Sequence, residues 1–400
     1  MKSRLTIALC LEYPLGQMGG LEVLLQELIL GLPTDFDLVL VSADRDLGQC
    51  PIPFQKRLKA HFCWNYREAN SAKGRQLIQD LTNAGVDLAH FHLGGNYAWE
   101  THKFWQSPVY YCRHFKLPYL LTNHKVFPIF EGYNNPARFV LVRALILPKA
   151  WLSRAMILST TPCEVTVSQH DNRAMQRLYF PWSKRFRQLY HSRLSLKDIE
   201  EVQTEDSSVR EKIIVCAATI GPIKGQLILA RAFARLAPIF PDWHLEFIGR
   251  GDDAAYEKQL KEVVDSLSNP DQIRFTGVIH DFEALRYRLK HAAIYVQPSL
   301  VEGLGLALQE ALSFGCPAIG SATGGIPELI EHGVNGLLVP SGNVETLAEA
   351  LEQLMKDESL RHRLGHAAPG ETLRRRMTRE DMLSQYVELY RSLLAPSKSP

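Results

Sequence analysis

The sequence predicts an α/β protein in which two doubly wound parallel sheets form two domains. Four hundred residues, at roughly 150 residues per domain, correspond to two or three domains. Short apolar runs alternate with amphipathic helical patterns along the whole chain, which is typical of parallel sheets covered by helices. The 46% hydrophobic and 22% charged residues exclude the disordered, collagenous and coiled-coil classes.

Four buried strands are predicted in the first half, where apolar runs are followed by turn residues or helical patterns. The runs are Leu5 to Leu11, Leu38 to Val41, Leu88 to Phe91 and Tyr119 to Thr122. Lys2 and Arg4 precede the first run as in a signal peptide, but Glu12 interrupts it too early for a signal core. The first run is therefore expected to be a strand.

Six strands are predicted in the second half by the same criterion. They are Ile213 to Ala217, Leu245 to Ile248, Ile273 to Phe275, Ile294 to Val296, Pro317 to Ile319 and Leu337 to Val339. Apolar stripes at helical spacing predict a helix after the first of these strands and another near the end of the chain. The stripes are Leu229, Phe233, Leu236, Ala237 and Phe240, and Leu383, Tyr386, Val387, Tyr390 and Leu394.

A polar, acidic stretch without aromatic residues, Ser195 to Arg210, is typical of an exposed linker between domains. It predicts an N-terminal domain over residues 1–200 and a C-terminal domain over 201–378. Residues 379–400 are expected to form a helix that packs back on the N-terminal domain, followed by a tail.

Cysteine content and hydropathy limit the cellular setting. The seven cysteines are an odd number without a Cys-x-x-Cys pair, which argues against a disulfide framework, a zinc ribbon and a thioredoxin-like centre. A reducing, cytoplasmic compartment is therefore expected. No run reaches the ~18 uncharged apolar residues of a membrane-spanning helix, so any membrane contact is expected to be peripheral.

The most informative stretch is Pro298 to Val339. A strand ends, Glu302 follows, Gly303, Leu304 and Gly305 form a loop, and a helix begins at Leu306. The first amides of such a helix have no partners within the helix and carry the positive end of its dipole, so they can hold a diphosphate. Glu310 lies off the apolar stripe of that helix. Two carboxylates can thus meet hydroxyl groups at two places on an extended ligand.

The same stretch contains three motifs. Glu302 and Glu310 form E-x7-E, and G-x-P-x-I-G-S-x-x-G-G-x-P-E (315–328) and N-G-L-L-V-P (335–340) follow. Together these motifs resemble those of retaining glycosyltransferases of the GT-B fold, family 4. Upstream, T-I-G-P-I-K-G-Q (219–226), P-D-W-H-L-E-F-I-G-R-G (241–251) and F-T-G (275–277) continue the resemblance. It covers residues 211 to 395, and the combination of motifs is highly specific.

The resemblance is thinner in the first half. P-L-G-Q-M-G-G-L-E (14–22) resembles the family's glycine-rich loop on the acceptor side. Residues 87–92 and 122–124 resemble its D-x-x-H-x-H and T-x-H strand ends. By this resemblance His124 contacts the donor sugar, and the Gly19 and Gly20 backbone approaches the phosphates. His92 and Glu22 are expected on the acceptor side.

The resemblance implies a nucleotide-diphospho-sugar bound by the C-terminal domain, an acceptor bound by the N-terminal domain, and reaction in a cleft between them. Glu310 would accept hydrogen bonds from both ribose hydroxyls, whereas Glu302 and the 303–306 backbone would hold the transferred sugar. Lys224 would neutralise charge that builds on the leaving diphosphate. Gly277 is expected beside the donor. No metal or other cofactor is implied, and no glutamate is assigned as a nucleophile.

One position departs from the family pattern. Relatives commonly carry an arginine five residues before the lysine, where this chain has Thr219. Either Lys224 acts with helix dipoles and another cation such as Arg250, or the donor pocket is weakened.

Three other patterns have simpler interpretations. Gly249-Arg250-Gly251 after a strand resembles a dinucleotide fingerprint, but it lacks the acidic residue at the end of the next strand. Asp44-Arg45-Asp46 has the form of a metal-binding D-x-D and is interpreted as a loop. His90 and His92 share one strand face, and without a third ligand nearby a core or cleft role is expected rather than a metal.

The predicted function is transfer of a hexose-type sugar from a nucleotide-diphospho-sugar to a glycan or lipid-linked acceptor, with retention of anomeric configuration. The alternatives are another GT-B nucleotide-sugar enzyme, such as an epimerase or phosphorylase, and a weakly catalytic nucleotide-sugar-binding protein. The side chains do not identify the base (UDP, GDP or ADP), the sugar or the acceptor.

Residues 101–197 carry 15 basic and 3 acidic side chains, which suggests an anionic partner. Basic residues alternate with apolar residues over Asn135 to Ser159, and a second basic cluster lies near Trp182. The basic side chains are Arg138, Arg143, Lys149 and Arg154, then Lys184, Arg185 and Arg187. Two partners fit: an anionic membrane surface at an interfacial helix, or an anionic soluble acceptor. Nucleic acid is not expected, because no recognised binding module is present.

Overall fold

The structure is a computed structural model of the chain. It describes residues 4–11, 14–15, 20–44, 46–48, 52–65, 68–93, 106–124, 151–152, 154–204, 210–251 and 253–395. The chain forms two compact units. Unit 1 comprises Met1–Leu189 and Met382–Pro400, and unit 2 comprises Tyr190–Asp381.

Unit 1 contains a seven-stranded parallel sheet in the order β3-β2-β1-β4-β5-β6-β7. Its strands are β1 (Leu5–Leu11), β2 (Phe36–Ser42), β3 (Leu58–Cys63), β4 (Leu88–Leu93), β5 (Tyr119–Asn123), β6 (Glu164–Thr166) and β7 (Phe186–Gln188). The central strands β1 and β4 are almost wholly buried, which explains why most of their residues are apolar.

Helices cover both faces of this sheet, and apolar clusters lie on either side of it. They are α1 (Gly20–Gly31), α2 (Ile52–Arg57), α3 (Ser71–Asn83), α4 (Pro108–Cys112) and α5 (Gln169–Leu178), with a 3₁₀ helix at Phe180–Arg185. Residues 151–152 and 154–160 are also helical. The C-terminal helix packs in the same core as β1 and α1 through Met382, Tyr386 and Tyr390.

Unit 2 contains a six-stranded parallel sheet in the order β10-β9-β8-β11-β12-β13. Its strands are β8 (Glu211–Ala217), β9 (His244–Ile248), β10 (Ile273–Gly277), β11 (Ala292–Gln297), β12 (Ala318–Ser321) and β13 (Gly336–Val339). Its helices are α6 (Leu196–Thr204), α7 (Gln226–Leu236), α8 (Ala254–Asp265), α9 (Phe282–His291), α10 (Leu306–Ser313), α11 (Ile326–Leu329), α12 (Val344–Lys356) and α13 (Glu358–Arg374). The C-terminal helix is α14 (Arg379–Leu394).

Both sheets reverse their strand order at the centre, between β1 and β4 in unit 1 and between β8 and β11 in unit 2. Two Rossmann-like doubly wound domains confirm the predicted α/β fold class. In open sheets of this kind, ligands bind outside the carboxyl ends of the strands at the point of reversal. In unit 2 that point lies between Ala217 and Gln297, the last residues of β8 and β11.

The units differ from the predicted domains at their junction. Tyr190 begins unit 2, eleven residues before the predicted start of the second domain at residue 201. The stretch interpreted as an exposed linker contains helix α6. This helix packs on unit 2: Ile199 is fully buried, and Arg286 pairs with Asp198 at 3.0 Å and with Glu201 at 3.0 Å. Its polar composition reflects ion pairs on a helix rather than an extended tether.

Candidate functional site

Glu302 lies in the loop after β11, at the carboxyl edge of the unit 2 sheet. Its carboxylate accepts hydrogen bonds from Gln297 Nε2 at 3.2 Å and from Ser299 Oγ at 3.0 Å. Lys224 Nζ adds two more, at 3.0 Å to Oε1 and 2.8 Å to Oε2. Four hydrogen bonds from three side chains hold the carboxylate in one orientation, so its position is preorganised.

Lys224 reaches Glu302 because the turn after β8 is tight. Residues Pro222–Lys224 form one 3₁₀ turn, and Gly225 follows with φ +71°. A Cβ atom at Gly225 would lie 2.0 Å from the carbonyl oxygen of Pro298, so only glycine fits here. The Lys224 ammonium is 22% exposed, which leaves it a face open to solvent.

The loop after Glu302 leads into α10 through Gly305, whose φ is +99°. No side chain of the described residues caps this helix start. Gly324, with φ +54°, packs so closely that a Cβ atom there would lie 1.8 Å from the Glu302 carbonyl oxygen. Lys224, Glu302 and the positive end of a helix dipole therefore lie within one short segment of the sheet edge.

Glu310 is buried within α10 and is paired with a residue that the sequence analysis missed. Arg193 Nε lies 2.7 Å from Glu310 Oε1, and Nη2 donates to Oε2 at 3.1 Å. The guanidinium carbon lies 3.7 Å from the centre of the Phe282 ring. Burial raises the pKa of the Glu310 carboxyl above its usual value, and the Arg193 charge opposes that shift.

Arg193 belongs to a connecting segment, residues 190–195, that was expected to lie before unit 2. In the same segment the Tyr190 hydroxyl donates to Glu328 Oε2 at 2.9 Å. The segment thus supplies two side chains to the carboxyl edge of the unit 2 sheet. No local pattern in the sequence points to these contacts, because the partners are 117 and 138 residues apart.

The remaining donor-side candidates follow neighbouring strands of the same sheet edge. Thr219 follows β8, and its carbonyl oxygen accepts a hydrogen bond from Gln226 Nε2 at 3.0 Å. Arg250 follows β9 and is exposed. Gly277 ends β10 with φ +71°. The structure therefore brings the predicted donor residues of unit 2 to one edge, with Thr219 offering no cation.

In unit 1 the predicted histidines lie at the carboxyl ends of β4 and β5. His92 Nδ1 and His124 Nε2 are 3.1 Å apart, a distance at which one ring donates and the other accepts. His90 lies beneath them, held by the Tyr390 hydroxyl at 2.7 Å and the Thr122 hydroxyl at 2.7 Å. Burial lowers the pKa of His124 to about 3, so the His124 ring is neutral at pH 7.

The glycine-rich loop is described only in part, since Gly19 lies outside the described residues. Gly20 begins α1, and Glu22 is buried in the first turn of that helix. The Asp44 carboxylate accepts hydrogen bonds from Ser42 Oγ at 2.8 Å and from the Leu15 amide at 2.9 Å. It acts as a turn cap, in keeping with the loop interpretation. Among the described residues no three acidic, histidine or cysteine side chains are grouped as a metal site would require.

Arg154 corrects the prediction of a basic interfacial helix. Its side chain is 1% exposed and pairs with the fully buried Glu164 on β6. Trp151 also packs inward, beside Tyr179 and Trp182. Arg154 therefore points into the core of unit 1, where it pairs with the buried Glu164 carboxylate among apolar neighbours. Arg138, Arg143 and Lys149 lie outside the described residues. In the described ranges no helix has the length and apolar character needed to cross a bilayer.

Residues 198–371 match the family model "Glycosyl transferases group 1". The matched segment contains Lys224, Glu302 and Glu310. Several curated relatives of this chain carry the names of glycosyltransferases. N-acetyl-alpha-D-glucosaminyl L-malate synthase of Bacillus anthracis is 30% identical over 204 residues, which are 51% of this chain and 51% of that protein. Phosphatidyl-myo-inositol mannosyltransferase of Mycobacterium leprae is 31% identical over 173 residues, 43% and 44% of the two chains.

The chain spans about half or less of the curated relatives that it matches. Solved structures align along nearly its whole length. Sucrose-phosphate synthase from Thermosynechococcus elongatus has a TM-score of 0.75 at 20% identity and covers 98% of this chain and 100% of its own. Anabaena HepE in complex with UDP has a TM-score of 0.73 at 17% identity, covering 97% and 100%. These likenesses support the GT-B fold predicted from the sequence.

Proposed function

We propose that this protein is a retaining glycosyltransferase of family 4 that moves a hexose from a nucleotide-diphospho-sugar to a glycan or lipid-linked acceptor. The observation that carries the proposal is the Lys224–Glu302 pair, preorganised by Gln297 and Ser299 beside the start of α10. A cation and unpaired helix amides suit a diphosphate, and a carboxylate suits sugar hydroxyls.

Each residue has a distinct role in this proposal. Lys224 and the first amides of α10 neutralise negative charge on the leaving diphosphate, which grows toward the transition state. Glu302 accepts hydrogen bonds from hydroxyls of the transferred sugar, and Glu310 accepts hydrogen bonds from the ribose hydroxyls. By the resemblance, His124 of unit 1 contacts the donor sugar and His92 belongs to the acceptor side. The proposal requires no metal ion or other cofactor, and it assigns no side chain as a nucleophile.

A panel of UDP-, GDP- and ADP-sugars tests this function. With the matching donor and an acceptor extract, we expect nucleoside diphosphate to be released in step with a glycosylated product, with undiminished rates in excess chelator. Nuclear magnetic resonance of the product should show the anomeric configuration of the donor. An epimerase would return an isomeric nucleotide-sugar instead, and a binding protein would release no diphosphate.

For the acceptor, we propose a lipid-linked substrate reached at an anionic membrane surface from the cytoplasm. Support comes from the segment around Phe180, which is 76% exposed and stands beside the exposed Lys184 and Arg187. Each cation near an anionic leaflet contributes about 1 kcal/mol. Cosedimentation with anionic vesicles should fade with salt and weaken in K184E. No sedimentation at low salt would leave the soluble anionic acceptor as the partner.

A further inference from the structure

Arg193 and Glu310 form a close charged contact at the edge of the unit 2 sheet. The roles proposed above give Glu310 a function but leave Arg193 without one. The contact is two-pronged, with Nε 2.7 Å from Oε1 and Nη2 3.1 Å from Oε2. Both side chains are shielded from water, the arginine being 13% and the glutamate 6% exposed. A fork of this kind fixes the plane of the carboxylate as well as its position.

The arginine is itself held in place. Its guanidinium packs over the ring of Phe282, at the start of α9, with the central carbon 3.7 Å from the ring centre. The neighbouring Tyr190 anchors the connecting segment through Glu328 at 2.9 Å. Arg193 is therefore clamped between an aromatic face and a carboxylate, rather than extended as a free surface cation.

The pairing leaves Glu310 able to bind two further donors. An ionised carboxylate has about four lone-pair positions. Arg193 Nη2 donates a hydrogen bond to one of them, on Oε2, whereas Nε makes a close charged contact with Oε1. At least one position on each oxygen remains, which matches the two vicinal hydroxyls of a ribose. Without the arginine, the buried carboxylate would have no opposite charge beside it and would tend to take up a proton.

We propose that Arg193 is a positioning residue for the nucleotide: it keeps Glu310 ionised and fixed so that both of its oxygens accept ribose hydroxyls. This inference rests on the proposed function, because it assumes that a nucleotide binds at Glu310. It adds a residue of the connecting segment to the determinants of ribose recognition. The contact with the Phe282 ring helps to hold the arginine in this position.

Calorimetric titration with paired ribose and 2′-deoxyribose nucleoside diphosphates tests the inference. The probes are UDP, GDP and ADP and their deoxy forms. The wild type should bind the matching ribose form about tenfold more tightly than the deoxy form, since a site built for a hydroxyl rejects its absence. In Arg193→Met the affinity for the ribose form should fall about tenfold, and the preference should shrink to less than about threefold.

Arg286→Met is the matched control. Arg286 is also 13% exposed, pairs with Asp198 and Glu201, and lies in the same unit. Its loss should leave the ribose preference at the wild-type value. Arg193→Lys keeps the charge but loses the fork, so it should recover part of the affinity and little of the preference. This second variant decides the matter if Arg193→Met does not fold by circular dichroism.

The outcomes separate this inference from the function on which it rests. If the wild type binds none of the diphosphates, the proposed function and this inference both fail. If the wild type binds and Arg193→Met, or Arg193→Lys in its place, keeps the full ribose preference, only the inference fails. Tighter binding by Arg193→Met would also overturn it, because the arginine would then compete with the ribose for Glu310.

Discussion

Replacing Lys224 by alanine is expected to slow turnover by about a hundredfold. The ammonium lies 2.8 Å from Glu302 Oε2 in a turn that Gly225 and Pro298 fix, so it cannot relax far. Its proposed partner, the leaving diphosphate, gains negative charge during the reaction. A fixed cation therefore stabilises the transition state more than it stabilises the bound donor.

The magnitude follows from distance and exposure. Two unit charges about 4 Å apart interact by about 4 kcal/mol at an effective dielectric of about 20. Because Lys224 is 22% exposed, solvent screening lowers this to about 3 kcal/mol. At about 1.4 kcal/mol per tenfold, kcat should fall by about 10². Removing Lys224 also removes two of the hydrogen bonds that hold the Glu302 carboxylate, so a modest loss of Tm is expected.

The assay is diphosphate release measured over a range of donor concentrations. Lys212→Ala is the control, since Lys212 lies at the start of β8, is 57% exposed and pairs with Asp242. It should keep wild-type kcat and KM. If Lys224→Ala raises KM with kcat unchanged, the lysine contributes uniform binding and the catalytic role assigned to it is wrong.

Four further results are expected. Glu310→Ala should weaken nucleotide binding by roughly 1.5 to 3 kcal/mol, and unchanged affinity in calorimetry would contradict the ribose assignment. Thr219→Arg should tighten donor binding severalfold by adding a cation at the strand end, whereas no gain would show that the side chain points elsewhere. Gly225→Ala should cost about 2 kcal/mol or more of stability, since its Cβ would lie 2.0 Å from a carbonyl oxygen; an unchanged Tm would refute this. Burial lowers the pKa of His90 well below its usual value, so unfolded chains bind the extra proton and stability should rise with pH up to about 6.5; His90→Gln should flatten that rise in calorimetric unfolding.

Most of the strands that sequence reasoning predicted are buried on both faces, whereas β10, also predicted, is an edge strand exposed beyond Ile273. β1, β4 and β11 consist mostly of apolar residues because helices cover both sides of each sheet. β3 escaped prediction because it is a half-exposed edge strand with the mixed sequence LKAHFC. The three-residue strands β6 and β7 escaped because so short a segment carries no readable period.

The candidate site divides in the same way. Glu302 and Lys224 could be predicted because each stands in a local motif of strand, glycine turn and helix. Arg193 could not, because its role depends on contacts with Glu310 and Phe282 that only the folded chain creates. Arg154 gave a wrong prediction for a related reason: a basic residue among apolar ones looks interfacial unless its buried partner Glu164 is known.

The measurement that tests the central claim most directly is a crystal structure of the protein with the nucleoside diphosphate of its matching donor. Ribose hydroxyls are expected within about 3 Å of both Glu310 oxygens. The diphosphate is expected beside Lys224 and the first amides of α10, with Arg193 still paired to Glu310. A nucleotide bound elsewhere, or one whose ribose displaces Arg193 and whose diphosphate avoids Lys224, would contradict the proposed roles of Lys224 and Glu310.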